Sequence, residues 1–202
     1  MSYRAIHRRP GTWVWAPVEF GGCGAGGGRS GFGGDGGGED PGDSSGGEDW
    51  RERLLGVPVP ALELSFALEG MVSLAALARR WRLAVFFHHG DSGRARCWAE
   101  HEDLLASLGC MPVSVTGQSA EAQLRFAAAD LFGFMLLADP DFELAAALDL
   151  PTATVQGERA YEPLTLLVQR ERITDVLRPV DPREELTWAL ERLRESRGMD
   201  AS

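Results

Sequence analysis

Cys97 is the residue of this sequence best placed to carry out chemistry. It ends the run Arg94-Ala95-Arg96-Cys97, and cationic neighbours lower the pKa of a thiol by stabilising its thiolate. A thiolate is a nucleophile, so this spacing predicts a redox-active thiol with Arg94 and Arg96 as its electrostatic partners. The alternative interpretation is a small residue in an ordinary helix, and the local pattern leaves both open.

The other two cysteines are less suited to a chemical role. Cys110 adjoins Met111 and leads into an apolar run, which indicates buried packing. Cys23 lies in a glycine-rich stretch and is interpreted as an incidental thiol, with the resolution of an oxidised Cys97 as the alternative. Three scattered cysteines do not make a disulfide framework, and this favours a reducing, cytoplasmic location.

A dense set of residues that could bind a metal surrounds Cys97. The set consists of His88, His89, Asp91, Cys97, Glu100 and His101. Its spacing matches no established metal motif, so no metal is predicted. Asp91 and Ser92 are better explained as the N-cap of a helix. The glycine tract at 21–47 lacks the strand, the helix and the Lys-Ser/Thr pair of a phosphate-binding loop, and no cofactor is predicted.

Alternating strands and helices are predicted to position these side chains. Strand-length apolar runs lie at 61–66, 83–87, 113–116, 134–137, 164–168 and 173–177, the first as an edge strand and the last two as a hairpin. Helices are predicted at 74–80, between residue 93 and Leu108, after Ser119, at 141–148 and from Pro182 onward. This order predicts an α/β fold in which a mixed central sheet is flanked by helices on both faces.

The chain divides into two parts by composition. Residues 1–56 are predicted to be a disordered, glycine-rich extension, because most of the 25 glycines fall between Gly21 and Gly47 and leave little to bury. Residues 57–198 are predicted to form the ordered domain. The formal net charge of −10 argues against a nucleic acid or an anionic membrane as partner. No apolar run approaches the roughly 20 residues that span a bilayer.

Several segments resemble, in order, the AhpC/TSA (redoxin) branch of the thioredoxin-like superfamily, nearest to peroxiredoxins of the bacterioferritin-comigratory type. They are VSLAAL at 72–77, LAVFF at 83–87, VSVTGQS at 113–119, FMLLADP at 134–140, LDLP at 148–151, LTLLV at 164–168 and RPV at 178–180. No single segment is specific, but their order and spacing together imply a thioredoxin-like fold.

The resemblance implies a thiol-dependent antioxidant oxidoreductase that reduces peroxides. In that family a peroxidatic cysteine lies in the first turn of a helix, and a Pro-x-x-x-Thr/Ser-x-x-Cys loop holds its thiolate against the peroxide. A distant arginine supplies a second cation. The partners implied are a peroxide substrate and a thiol reductant, and the chain could form a homodimer.

The active site expected from the resemblance is altered at two positions and in its length. His89 stands where the family has proline, and Pro163 stands where the family has its arginine. Arg159, a few residues upstream, could substitute for that arginine. The chain is also several residues too short between His89 and Gly109.

Two placements of this gap remain open. A gap in the loop puts Asp91 at the peroxidatic position, whereas a gap in the helix puts Cys97 there. The spacing of the apolar residues Trp98 and Leu105 favours the gap in the loop.

Two functional classes therefore follow: a peroxiredoxin-like enzyme acting through Cys97, or a catalytically inactive module that keeps the fold for interaction or regulation.

Overall fold

The computed structural model describes residues 3–9, 12–17, 49–66, 70–89, 92–130, 134–178 and 181–199, so Cys23, Asp91 and the glycine tract lie outside the described residues. The strands are β1 Tyr3–Arg9, β2 Thr12–Pro17, β3 Glu63–Phe66, β4 Met71–Ser73, β5 Arg82–Phe87, β6 Cys110–Thr116, β7 Met135–Ala138, β8 Thr152–Val155, β9 Glu158–Tyr161, β10 Leu164–Gln169 and β11 Arg172–Leu177. The helices are α1 Asp49–Leu54, α2 Leu74–Ala78, α3 Ser92–Ala99, α4 Glu102–Ser107, α5 Ala120–Asp130, α6 Glu143–Leu148 and α7 Pro182–Met199. Among the described residues, no helix is long and apolar enough to cross a bilayer.

Seven strands form one mixed sheet in the order β11-β10-β5-β6-β7-β3-β4. The central strands β5, β6 and β7 are parallel, whereas the flanking strands pair antiparallel. The predicted mixed α/β sheet is confirmed. Strand β3 differs from its predicted place at the edge, because the short strand β4 pairs with its outer side.

Alternate residues of β5 enter two separate cores. Leu83, Val85 and Phe87 pack with residues of α2 and α6 on one face, whereas Ala84 and Phe86 pack with α3, α4 and α7 on the other. None of the five is more than 2% exposed. A strand that is covered on both faces needs an apolar residue at every position, which explains the continuous apolar run at residues 83–87. The predicted helices on both faces are confirmed.

Two elements differ from the sequence prediction. The single helix expected to end at Leu108 is two helices, since α3 ends at Ala99 and α4 begins at Glu102. The hairpin of β8 and β9 was not predicted. Its turn residues Gln156 and Gly157 have φ values of 52° and 87°, and two consecutive positive φ angles give the turn that matches the twist of a hairpin.

Helix α1 places ordered structure on the N-terminal side of the predicted domain boundary at 57. Leu54 is 4% exposed in the core, and the Gly56 N–H donates to the Ile173 carbonyl at 2.8 Å. The Val59 N–H donates to the Glu171 carbonyl at 2.9 Å, in the turn just before β11. Strands β1 and β2 pair antiparallel inside the range 1–56, for which the sequence predicts disorder.

Asp139, at the end of β7, caps helix α6. Its carboxylate accepts the backbone N–H groups of Glu143 and Leu144, each at 2.9 Å, and also the hydroxyl of Tyr161. The Tyr161 oxygen in turn accepts the Ala145 N–H at 3.1 Å. Burial, and then the neighbouring carboxylate, raise the pKa of Tyr161, so the phenol remains a donor. The network satisfies first-turn N–H groups that have no partner within the helix and joins α6 to β9.

Asp139→Ala should lower the free energy of unfolding by about 3 kcal/mol, because two backbone N–H groups and a buried phenol lose their acceptor. The matched variant Asp141→Ala removes an exposed carboxylate two residues further on and should change stability by less than about 0.5 kcal/mol. Urea unfolding of the two variants measures the difference. Equal effects would contradict the capping role of Asp139.

Candidate functional site

The helix that carries Cys97 begins at Ser92. Its first turn consists of Ser92, Gly93, Arg94 and Ala95, and Cys97 lies in the second turn. The positive end of a helix dipole acts within the first turn. Cys97 therefore does not occupy the position that the alignment with a gap in the helix requires.

The Arg94 guanidinium points into the protein. Its Nη2 donates to Oε1 of Glu185 at 2.6 Å and to the Thr165 hydroxyl at 3.2 Å. The Thr165 hydroxyl donates to the same carboxylate oxygen. Arg94 is 4% exposed, and its two partners are 0% exposed. Arg94 thus joins α3 to β10 and α7, and it is bound to a carboxylate instead of a thiol.

This buried ion pair is only partly satisfied by hydrogen bonds. Among the described residues, Arg94 Nε, Trp98 Nε1 and Glu185 Oε2 have no hydrogen-bond partner. Burial raises the pKa of Glu185, whereas Arg94 and the Thr165 hydroxyl lower it, and the nearby Trp98 indole N–H acts in the same direction. Arg94 therefore compensates the Glu185 carboxylate for the hydration that it loses on burial.

The Cys97 thiol lies against the start of α7. Its S–H donates to the Pro182 carbonyl at 3.6 Å, and the side chain is half-buried. Burial raises the pKa of Cys97, the Glu100 and Glu185 carboxylates raise it further, and Arg183 opposes them. The environment therefore favours the neutral thiol over the thiolate.

The predicted lowering of the Cys97 pKa by Arg94 and Arg96 is wrong. Arg94 is bound to Glu185, and Arg96 lies on the exposed side of α3. Neighbouring residues of a helix point about 100° apart, so closeness in sequence does not bring these cations to the sulfur. The prediction that Cys110 is buried packing is confirmed, since the residue is 3% exposed and burial raises its pKa to about 12.

The two histidines that follow β5 lie in different environments. His88 is 2% exposed, its Nε2 lies 2.8 Å from the Ser114 hydroxyl, and its ring stacks on Phe86. Burial lowers the pKa of His88 to about 3, with smaller contributions from Arg94 and His89. His88 is therefore neutral at physiological pH, whereas His89 is exposed to solvent.

A cavity of about 350 Å³ lies at the C-terminal ends of β5 and β6, beside the β8–β9 hairpin. Its lining includes His89 and Arg159 but not Cys97. Arg159 is the residue that the sequence offers in place of the missing family arginine, and Pro163, at the family position itself, is exposed. The Arg159 guanidinium lies 4.5 Å from the ring centroid of Phe142. No sequence pattern indicates Phe142. Strand β9, which carries Arg159, is also absent from the sequence prediction.

A parallel centre, antiparallel flanks and helices on both faces define a thioredoxin-like fold of the kind found in peroxiredoxins. BcpB, a peroxidoxin from Mycobacterium tuberculosis, matches with a TM-score of 0.62 and 19% identity over 70% of this chain and 97% of its own. The bacterioferritin comigratory protein of Xanthomonas campestris matches with a TM-score of 0.60 and 22% identity over 71% and 98%. A Xylella fastidiosa peroxiredoxin Q variant matches with a TM-score of 0.63 and 19% identity over 70% and 96%.

These comparisons confirm the resemblance to bacterioferritin-comigratory peroxiredoxins at the level of the fold. No protein-family model matches the sequence, and no curated protein matches it significantly. The chain therefore shares the architecture of these peroxiredoxins, and its chemistry depends on the side chains described above.

Arg94→Ala should destabilise the protein by about 3–5 kcal/mol, because it leaves the buried Glu185 carboxylate without a cation. The double variant Arg94→Met, Glu185→Leu should recover most of this loss, since a buried ion pair contributes little more than apolar packing. Urea unfolding tests both, with Arg194→Ala, which removes an exposed arginine of α7, as the control. The ion pair would lose its structural role if Arg94→Ala were as stable as Arg194→Ala.

The stability of the protein should fall as the pH drops from about 6.5 towards 3. Unfolded His88 takes up a proton near pH 6.5, but folded His88 does so only near pH 3, so the unfolded state binds more protons between these values. The loss at pH 4 is as much as about 3 kcal/mol. Denaturation at a series of pH values should show this slope in the wild type and in His89→Gln, and a smaller slope in His88→Gln. An unchanged slope in His88→Gln would contradict the assignment.

Proposed function

We propose that this protein keeps the peroxiredoxin fold as a binding or regulatory module and does not reduce peroxides through Cys97. The observation that carries the proposal is the commitment of Arg94 to Glu185 in the core. The peroxidatic thiolate of the family that the sequence resembles depends on a helix N-terminus and on nearby arginine. Cys97 lies beyond the first turn of α3, and Arg94 is bound elsewhere.

The protonation state of Cys97 supports the same conclusion. The thiolate is the form of cysteine that attacks a peroxide, and burial raises the pKa of this thiol above its ordinary value. Pro163 cannot supply the second cation that the family arginine provides. Removal of one such donor from a developing charge slows a reaction typically by about a hundredfold or more.

Peroxide reduction through Cys97 is the second candidate. The half-buried position of the thiol and the effect of Arg183 on its pKa favour it. The thiolate would attack the O–O bond, forming an S–O bond, and the leaving oxygen would take up a proton. A thiol reductant, or Cys23, would then attack the sulfenic acid, releasing water and forming a disulfide. In this candidate Arg183, and not Arg94 or Arg96, is the cation that opposes the effect of burial on the Cys97 pKa.

A peroxide-consumption assay with a thiol reductant separates the two candidates. We expect the wild type and Cys97→Ser to consume hydrogen peroxide and an alkyl hydroperoxide at the same rate as the reductant alone, because Cys97 remains protonated. Cys23→Ser serves as the control for the thiol in the extension. A wild-type rate that is at least tenfold above that of Cys97→Ser would overturn the proposed function and establish the second candidate.

A further inference from the structure

Phe142 has a backbone conformation that aromatic residues rarely adopt. Its φ and ψ are 56° and 34°, in the left-handed region, and such a conformation costs of order 1–3 kcal/mol. The Asp139 carboxylate maintains it by binding the next two N–H groups, those of Glu143 and Leu144. Strain that the surroundings enforce in this way is concentrated at functional sites.

The strained backbone sets the Phe142 ring between Gly117 and Arg159. A Cβ atom at position 117 would lie 2.3 Å from Phe142 Cζ, so the ring can occupy this place only against a glycine. The Arg159 guanidinium lies over the ring, with its Cζ 4.5 Å from the centroid. Arg159 Nε also donates to the Thr152 hydroxyl at 3.2 Å. An exposed arginine is thereby fixed by two contacts.

The fixed arginine leaves its terminal nitrogens for a ligand. Within the described part of the chain, neither Nη1 nor Nη2 of Arg159 has a hydrogen-bond partner. Arg159 also lines the cavity of about 350 Å³, a size in the range of small-molecule sites. A guanidinium held in a set orientation presents a planar pair of donors that suits a carboxylate, and less conformational entropy is lost on binding.

The other residues of this cavity restrict the ligand. Glu158 lines it and disfavours a second negative charge, so a monoanion is preferred to the phosphate dianion. Val155 also lines it and is 36% exposed, which offers apolar surface to an aliphatic group. Gln118, Gln156 and His89 are its other polar residues.

We propose that this cavity binds a short-chain aliphatic carboxylate, with the carboxylate on Arg159 and the hydrocarbon against Val155. This inference deepens the proposed function, because it gives the binding module a site and a class of ligand. It uses none of the groups around Cys97.

Titration of the ¹⁵N-labelled full-length protein with butyrate, acetate and inorganic phosphate tests the proposal by NMR. Butyrate should bind saturably, with a Kd on the order of 1 mM, and shift the amide signals of Gly117 and Gln118. Arg159→Gln should weaken butyrate binding by about tenfold or more, because it removes a charge-assisted bidentate contact. Arg125→Gln, which removes an exposed arginine outside the cavity lining, should bind like the wild type.

A second variant tests the apolar contact. Val155→Ser should weaken butyrate about threefold and leave acetate unchanged, because it removes buried hydrocarbon contact only. The proposal is overturned if the wild type shows no saturable binding, if Arg159→Gln binds butyrate as the wild type does, or if phosphate binds more tightly than butyrate. Cys97→Ser should keep the wild-type affinity, so peroxidase activity through Cys97 would refute the proposed function without deciding this site.

Discussion

Between the central sheet and helices α3 and α7, the Arg94 guanidinium and the Glu185 carboxylate meet at the Thr165 hydroxyl. A buried charge must be paired with an opposite charge. The pairing of Arg94 with Glu185 therefore fixes the rotation of α3 about its axis. With Arg94 turned inward, Arg96 faces solvent and Cys97 faces the first turn of α7. The reactivity of the thiol is thus decided by the pairing of a neighbouring side chain.

Most of the domain could be predicted because its central strands are covered on both faces. Residues 83–87 form a continuous apolar run, and 164–168 and 173–177 form an apolar pair around a two-residue turn. The β8–β9 hairpin could not be found in this way, since none of Thr152–Val155 and only half of Glu158–Tyr161 is buried. Its only local signal was the Gln156-Gly157 pair, a turn sequence without an apolar pattern beside it.

At the candidate site, local sequence predicts which residues lie near one another along the chain but not which distant residues they contact. Spacing correctly places Cys97 on a helix with two arginines close by, and it singles out Arg159 as the arginine nearest to Pro163. The partner of Arg94, however, lies 91 positions away in the chain. The contact of the Arg159 guanidinium with the Phe142 ring likewise depends on the strained backbone of Phe142, which the Asp139 cap holds in place. Both arrangements arise only when distant segments are brought together by folding.

The placement of β10 between β5 and β11 also has a consequence for biosynthesis. Until residues 164–169 have been translated, β5 has one unpaired edge, and Arg94 has a charge without a counterion until Glu185 follows. During this interval we expect the nascent chain to contain an incomplete sheet, and the unpaired edge of β5 can pair with strands of other chains. The counterion of Arg94 therefore becomes available only when α7 is translated, 91 positions after Arg94 itself.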